Sequence, residues 1–311
     1  MSLRVERRTV VVTGANAGLG FWTTLRLVES GDRVVMACRS DERADAAAAA
    51  IRRRVPTAQL EFVRLDTADL GSVAEAAAQL NAMERIDVLI ENAGIVHTPS
   101  TRRETVDGLE LVAATNFFGH FALAAALLPA LKRTPGSRIV TLGSQTVLWP
   151  WPRLDDPQSE RFYNGLLAYA RSKIMLQSFG FELDRRLAAS GVLVRSLVAH
   201  PGYSISGRTP RVPAVNEPRR VKRFRDNLQA PFSQGKHRGA LPIVCAASDS
   251  SPPVGHAFYG PKWMLKGDAT RCTPASLTTN RTVAAAIWAE AERATGVAFS
   301  PEMHAMGRTP P

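Results

Sequence analysis

Thr9-Val10-Val11-Val12-Thr13-Gly14-Ala15-Asn16-Ala17-Gly18-Leu19-Gly20 is the stretch on which the fold turns. Three successive valines between threonines form a β-branched run without polar alternation, which predicts a strand buried on both faces. The glycines that follow permit a tight turn. They also let backbone amides approach a pyrophosphate at the start of the next helix, predicted over 19–30 and ended by Gly31, where the helix dipole favours an anion. A glycine-rich turn points to a nucleotide site when it joins strand to helix within a βαβ unit, as here. Gly14, Asn16, Ala17, Gly18, Leu19 and Gly20 are therefore candidate cofactor-binding residues.

Outward from this stretch the alternation continues. Arg33–Cys38 reads as a strand, and the Ala-rich segment 41–55 as a helix stopped before Pro56. Strand 60–65, helix 70–83, strand 86–90, a pair of helices over 106–131, strand Arg138–Leu142, a long helix over 165–190 and strand 192–198 follow. Continuous apolar strands separated by helices require a parallel sheet covered on both faces, with a ligand at the carboxyl ends of the strands. The expected fold class is α/β, a Rossmann-type doubly wound parallel sheet with helices on both faces. One domain is expected over 1–311, with a dinucleotide-binding and catalytic core over 7–202. The alternation breaks after Tyr203, so 203–311 is expected to form a substrate lid and C-terminal extension, an atypical C-terminal substrate lobe.

A chain of 311 residues, 45% of them apolar, can bury a core without disulfide staples. No uninterrupted apolar run reaches the roughly 18 residues of a spanning helix, so no membrane span is expected. Residues 1–8 lack an apolar h-region and a small-residue cleavage site, which argues against a secretory signal. Cys38, Cys245 and Cys272 are odd in number and far apart, which favours a reducing compartment over a disulfide framework. A cytoplasmic location is expected. The six histidines form no i, i+4 pair and no cluster with cysteine, so no metal is expected. The net charge of +11 is concentrated between Arg208 and Arg238, where nine Lys or Arg residues face only Glu217 and Asp226. Pro210, Pro213, Pro218 and Pro231 interrupt that stretch, so it reads as a solvated surface loop and not as a groove-reading helix; no nucleic-acid partner is expected.

The spacing Gly14-x-x-x-Gly18-x-Gly20 resembles the short-chain dehydrogenase/reductase family. Asn92-Ala93-Gly94 after the fourth strand, Asn116, Ser144 after the fifth strand, Tyr169-Ala170-Arg171-Ser172-Lys173, and Pro201-Gly202 after the sixth follow in the family's order. Asn116-Phe117-Phe118-Gly119-His120-Phe121, Ala37-Cys38-Arg39 and 163–173 look like the subfamily of retinol dehydrogenases and their bacterial relatives. The resemblance implies hydride transfer between a nicotinamide cofactor and a carbonyl/alcohol pair. It gives Lys173 a hydrogen bond to the nicotinamide ribose and Asn116 a helix bend with a water leading from Lys173 to solvent. It places Asn92, Ala93, Gly94, Pro201, Gly202 and Ser206 along the cofactor, and it implies a homo-oligomer.

The residue types support the same chemistry. Tyr169 and Lys173 are four positions apart on a helix, so they share a face. A free tyrosine has a pKa of about 10, and a neighbouring ammonium is expected to lower it, which makes Tyr169 the general acid/base. Ser144 is expected to hold the substrate oxygen as charge develops. At the end of the second strand an acidic residue would select NAD; here Cys38 stands there and Arg39 follows, so NADP(H) is favoured, with NAD(H) as the alternative. Asp66 reads either as the adenine-contacting acid or as the cap of the helix that starts near Leu70.

Glu91 and Gly143 depart from the family, which commonly has Asn and Ser there, and Ser206 replaces a usual Thr. An inward-pointing Glu91 would disturb the electrostatics near the nicotinamide. Trp149-Pro150-Trp151-Pro152 beyond Ser144 suggests an apolar substrate, and the basic lid suggests an anionic group or carrier. The rival class is a regulatory protein that senses NADP(H) without turnover.

Overall fold

Alternation along the first strand sorts the core into two layers. The structure is a computed structural model that describes residues 7–148 and 154–300, so the Trp149-Pro150-Trp151-Pro152 expectation lies outside the described residues. The strands are β1 (Thr9–Thr13), β2 (Arg33–Cys38), β3 (Leu60–Arg64), β4 (Val88–Glu91), β5 (Arg138–Leu142), β6 (Arg195–Ala199), β7 (Ser204–Ile205), β8 (Gln234–Gly235), β9 (Phe258–Pro261) and β10 (Ala269–Arg271). The helices are α1 (Gly18–Glu29), α2 (Asp41–Arg52), α3 (Leu70–Asn81), α4 (Leu111–Ala113), α5 (Gly119–Lys132), α6 (Gly165–Ala189), α7 (Arg220–Leu228), α8 (Lys236–Gly239), α9 (Leu241–Ser248), α10 (Ser276–Thr279) and α11 (Arg281–Thr295).

The main sheet runs β3-β2-β1-β4-β5-β6-β9-β10, parallel throughout except for β10. Val11 faces a layer that includes Val73 of α3, Phe121 of α5, Phe179 of α6 and Trp288 of α11. Val10 and Val12 face Phe21 of α1, Ile51 of α2 and Ile243 of α9. Burial on both faces is why the valine run shows no polar alternation. Chain order reverses between β1 and β4, which opens the crevice at their carboxyl ends.

The segment 106–131 is not a pair of helices. Residues 106–110 are not helical, and Leu111–Lys132 is one continuous helix, α4 and α5 joined by a π turn over Ala114–Phe118. The unit Leu111–Lys132 is long and apolar enough to cross a membrane, with mean hydropathy 1.7, yet 78% of its most apolar window is buried inside the molecule. Its apolarity serves the core. The basic stretch is not a plain loop either: residues 220–228 form α7, whose Asp226 carboxylate accepts the Gly207 amide at 2.7 Å and pairs with Lys222 at 3.0 Å. These contacts let a Lys/Arg-rich segment fold between its prolines.

The stretch 203–311 divides in two. Residues 204–239 build a cover over the carboxyl edge, with β7 paired to β8. The chain then returns to the core: β9 extends the sheet, and Trp288 and Phe299 pack on Phe121 and Phe179 with ring centroids 5.0–6.1 Å apart.

Candidate active site

The glycine-rich turn is held by the Asn92-Ala93-Gly94 turn from across the crevice. Asn92 Nδ2 donates to Thr13 O at 2.7 Å and to Gly14 O at 3.4 Å, while Thr13 Oγ1 accepts the amides of Asn92 and Ala93, each at 2.9 Å. Gly14 has φ +65°, and a Cβ there would lie 3.0 Å from Ala93 Cα. A Cβ at Gly20 would lie 2.2 Å from Gly14 O. Both positions therefore need glycine, one for its conformation and one for close approach. Asn92 thus shapes the turn with its side chain. Asn16 and Ala15 donate their amides to the Cys38 thiol, which ties the turn to the end of β2.

The helix that follows the turn is open at its amino end. Its cap position, Ala17, offers no side-chain hydrogen bond. Ser40, Asp69, Asn164 and Asn280 cap α2, α3, α6 and α11. The first amides of α1 are therefore left for another acceptor, the arrangement that suits a phosphate. The capping role considered for Asp66 belongs to Asp69, whose Oδ1 accepts the Ser72 amide at 3.0 Å. Asp66 accepts the Ala68 amide and lies 3.5 Å from Arg39 Nη1. Arg39 is 72% exposed, so this pair contributes under about 1 kcal/mol and leaves the guanidinium available to another anion.

Asn116 sits at the centre of the π turn. Its Oδ1 accepts the Ile95 amide at 2.7 Å, and its Nδ2 donates to Ile95 O at 3.1 Å and to Ser172 Oγ at 2.9 Å. The π turn lies at the position where the resemblance implies a helix bend, and the Asn116 carboxamide ties it to β4's loop and to α6. Single-turn π bulges of this kind recur at functional sites. His120, which sequence reading passed over, bridges the bend to β1: Nδ1 lies 3.2 Å from Asn116 O and Nε2 lies 3.1 Å from Thr13 Oγ1. Burial pushes its imidazole down to about 4, so it stays neutral at physiological pH.

Ser144 stands beside Tyr169, near enough for its hydroxyl to favour the phenolate, and its Oγ accepts from Thr146 N at 3.3 Å and Thr146 Oγ1 at 3.1 Å. Lys173, buried, donates from Nζ to Leu142 O at 2.8 Å. The expected lowering of the Tyr169 pKa is not found. Burial raises it above 10, the Ser144 hydroxyl opposes this, and Lys173 does not act on it. The ammonium is turned toward the end of β5 and interacts instead with Glu91.

A model of the short chain dehydrogenase family matches residues 8–208. The chain belongs to the short-chain dehydrogenase family. It is 41% identical to human retinol dehydrogenase 13 over 202 residues, which make up 64% of this chain and 60% of that protein. The match thus spans less than two thirds of that relative's length. Among solved structures, an uncharacterized protein from Mycobacterium Paratuberculosis is 36% identical, with TM-score 0.75 and 94% of each chain covered. A short-chain dehydrogenase from Sphingobium yanoikuyae in complex with NADPH is 26% identical, with TM-score 0.52, covering 64% of this chain and 72% of that one.

The departures from the short-chain dehydrogenase pattern have structural counterparts. Glu91 points inward and is fully buried. Its Oε2 accepts from Thr141 Oγ1 at 3.1 Å, and its Oε1 has no hydrogen-bond partner among the described residues. Burial pushes this carboxyl up to about 8, against the pull of Thr141 and Lys173. The same burial brings Lys173 down to about 8, against Glu91. Each charge is thereby disfavoured alone and supported by the other. A Cβ at Gly143 would lie 2.5 Å from Gln177 Oε1, so the Gln177 carboxamide fills the place a larger residue would need. His200, buried beside Pro201, accepts the Gly202 amide on Nδ1 at 3.3 Å and is held neutral by burial, with its pKa near 4. Pro201, Gly202 and Ser206 lie at the root of the cover. Ser206 opens the turn that Asp226 anchors through Gly207.

Proposed function

We propose that the protein is an NADP(H)-dependent oxidoreductase that interconverts a carbonyl and an alcohol on a lipophilic substrate. The juxtaposition of Ser144 and Tyr169, at the carboxyl edge of the sheet that also carries the uncapped start of α1, is the observation that carries this reading. A dinucleotide fits the residues present: open amides, a left-handed Gly18 and a close-packed Gly20 leave backbone donors for an anion at the turn. A bound nicotinamide dinucleotide supplies or accepts the hydride. Tyr169, kept protonated by burial, holds the proton that a carbonyl oxygen takes up during reduction. Ser144 donates to the same oxygen and stabilises the charge that develops there. Lys173 holds the nicotinamide ribose, and Asn116 keeps the helix bend that faces it.

Three exposed apolar side chains support the substrate class. Leu148 ends the short 3₁₀ turn that follows Ser144, Leu166 lies one helical turn before Tyr169, and Met264 accepts from Gln145 through its carbonyl. Each is more than half exposed, an arrangement suited to the rim of an apolar pocket. The similarity to a retinol dehydrogenase supports the same class. The reading is tested with NADPH and a panel of lipophilic aldehydes and ketones: nicotinamide absorbance should fall with at least one of them, and no fall across the panel would refute it.

Arg39 supports NADP(H) as the cofactor, as does the likeness to a solved NADPH complex. Arg39→Ala should weaken NADPH binding by roughly 1.5–3 kcal/mol, the worth of a charge-assisted hydrogen bond, and leave NADH binding unchanged. Fluorescence titration with both dinucleotides checks this. Equal weakening of the two would show that Arg39 does not read a 2′-phosphate.

A further inference from the structure

Lys236 opens α8, more than two hundred residues along the chain from the glycine-rich turn, yet its side chain lies against that turn. A Cβ added at Gly18 would lie 3.4 Å from Lys236 Nζ and 3.8 Å from its Cδ, so the lysine stem runs along the glycine and its ammonium stands at the open end of α1. The approach is built from several contacts. The Lys236 amide donates to Thr209 Oγ1 at 2.8 Å. A Cβ at Gly239 would lie 3.0 Å from Leu19 Cδ2, and the His237 and Trp22 rings meet edge-on at 5.7 Å. These fix α8 on the first turns of α1.

Among the described residues, Lys236 Nζ has neither a hydrogen-bond acceptor nor an ion-pair partner. Asp226 acts on it only at longer range, because that carboxylate is already engaged by Lys222 and by the Gly207 amide. Lys222 repels it, and burial also disfavours its charge. A half-buried, unpaired cation is costly unless an anion completes it. The neighbouring groups are the uncapped amides of α1, which are donors as well. Donors converging on one point from two elements specify an anion between them.

We infer that Lys236 is a cofactor-binding residue: carried by the cover, it supplies a cation to the diphosphate group of the dinucleotide at the Gly14–Gly20 turn. This rests on the dinucleotide reading of that turn. It also gives part of the basic segment a different task from the substrate selection expected of it, because this charge faces the cofactor's diphosphate. The Lys236 amide bond to Thr209 Oγ1 joins this cation to the 206–209 turn of the cover.

The test is equilibrium binding of NADPH and NADH to the full chain, followed by fluorescence, for the wild type, Lys236→Met and Lys236→Arg. Methionine keeps the stem on Gly18 and removes the charge. Lys236→Met should weaken both dinucleotides by the same factor, about tenfold or more for a lost charge-assisted contact, and flatten the dependence of affinity on salt. Lys236→Arg should restore most of the affinity. This pattern differs from that of Arg39→Ala, which affects NADPH alone. Wild-type affinity for both dinucleotides in Lys236→Met would overturn the inference while leaving the cofactor reading intact. A wild type that binds neither dinucleotide would overturn both. Should Lys236→Met fold poorly, the salt dependence of NADH binding to the wild type decides instead, and a flat dependence counts against the inference.

Discussion

Tyr169→Phe should lower kcat by a factor on the order of 10²–10⁴, the usual contribution of a positioned general acid or base. The substitution removes one hydroxyl. The ring keeps its place on α6, where Ala168 and Ala170 on either side are buried, so neither the fold nor the glycine-rich turn should change. Dinucleotide affinity should therefore remain at the wild-type value, and the loss should appear in turnover alone. Because burial holds the Tyr169 phenol above its ordinary pKa of 10, the wild type should keep its acid in the protonated form across the neutral range. Steady-state kinetics together with fluorescence titration separate the two effects. A Tyr169→Phe enzyme with wild-type turnover would remove Tyr169 from the chemistry.

Gly20→Ala should damage both stability and cofactor binding. The added methyl would lie 2.2 Å from Gly14 O, 2.6 Å from Asn92 Nδ2 and 2.8 Å from Gly14 C. Backbone atoms cannot rotate away as a flexible side chain can, so α1 must shift off β1 or the turn must open. Overpacking of this kind costs roughly 1–3 kcal/mol and occasionally more. The shift would also move the α1 amides out of register with the crevice. Thermal unfolding should show a lowered Tm, and NADPH titration a loss of affinity well beyond the stability effect. Gly31→Ala makes a useful contrast, because nothing lies within 4 Å of a Cβ there; its strain comes only from a φ of +92°, and cofactor affinity should not change.

The parts of the fold that sequence made legible are those written in local pattern. The valine run of β1, the glycines after it and the strand–helix alternation as far as β6 each have a period or turn chemistry that a short window contains. The π turn at Asn116 was not legible as such. Its bend depends on a carboxamide bonding to Ile95, twenty-one residues away, and on the His120 ring reaching Asn116 O, so the segment reads as two helices when taken alone. The basic stretch misled for a related reason: four prolines and a dense positive charge argue against order, while the contacts of Asp226 with Gly207 and Lys222 supply it.

The site shows the same division. Gly14 to Gly20, Asn92, Asn116, Ser144, Tyr169 and Lys173 stand in a recognisable order. Their electrostatics did not follow from that order, because the Tyr169 pKa depends on burial and on which way the Lys173 ammonium turns. The inward direction of Glu91 could be anticipated only as a consequence to watch for. It follows from register, since Glu91 pairs with Thr141 on β5 and both side chains lie on the α6 side of the sheet. Lys236 gave no signal at all. It belongs to no motif, its helix is four residues long, and only the folding of 204–239 over the carboxyl edge brings it to Gly18.

Direct hydride transfer beside Ser144 and Tyr169 leaves a label that can be followed into the product. It is tested most directly by running an accepted lipophilic aldehyde with NADPH deuterated at C4 of the nicotinamide, each stereospecific form in turn, and weighing the product. One form should deliver a single deuterium to the carbinol carbon, with the oxidised cofactor formed in equal amount, and Tyr169→Phe should suppress this delivery. Product alcohol without deuterium from either form, or delivery undiminished in Tyr169→Phe, would contradict it.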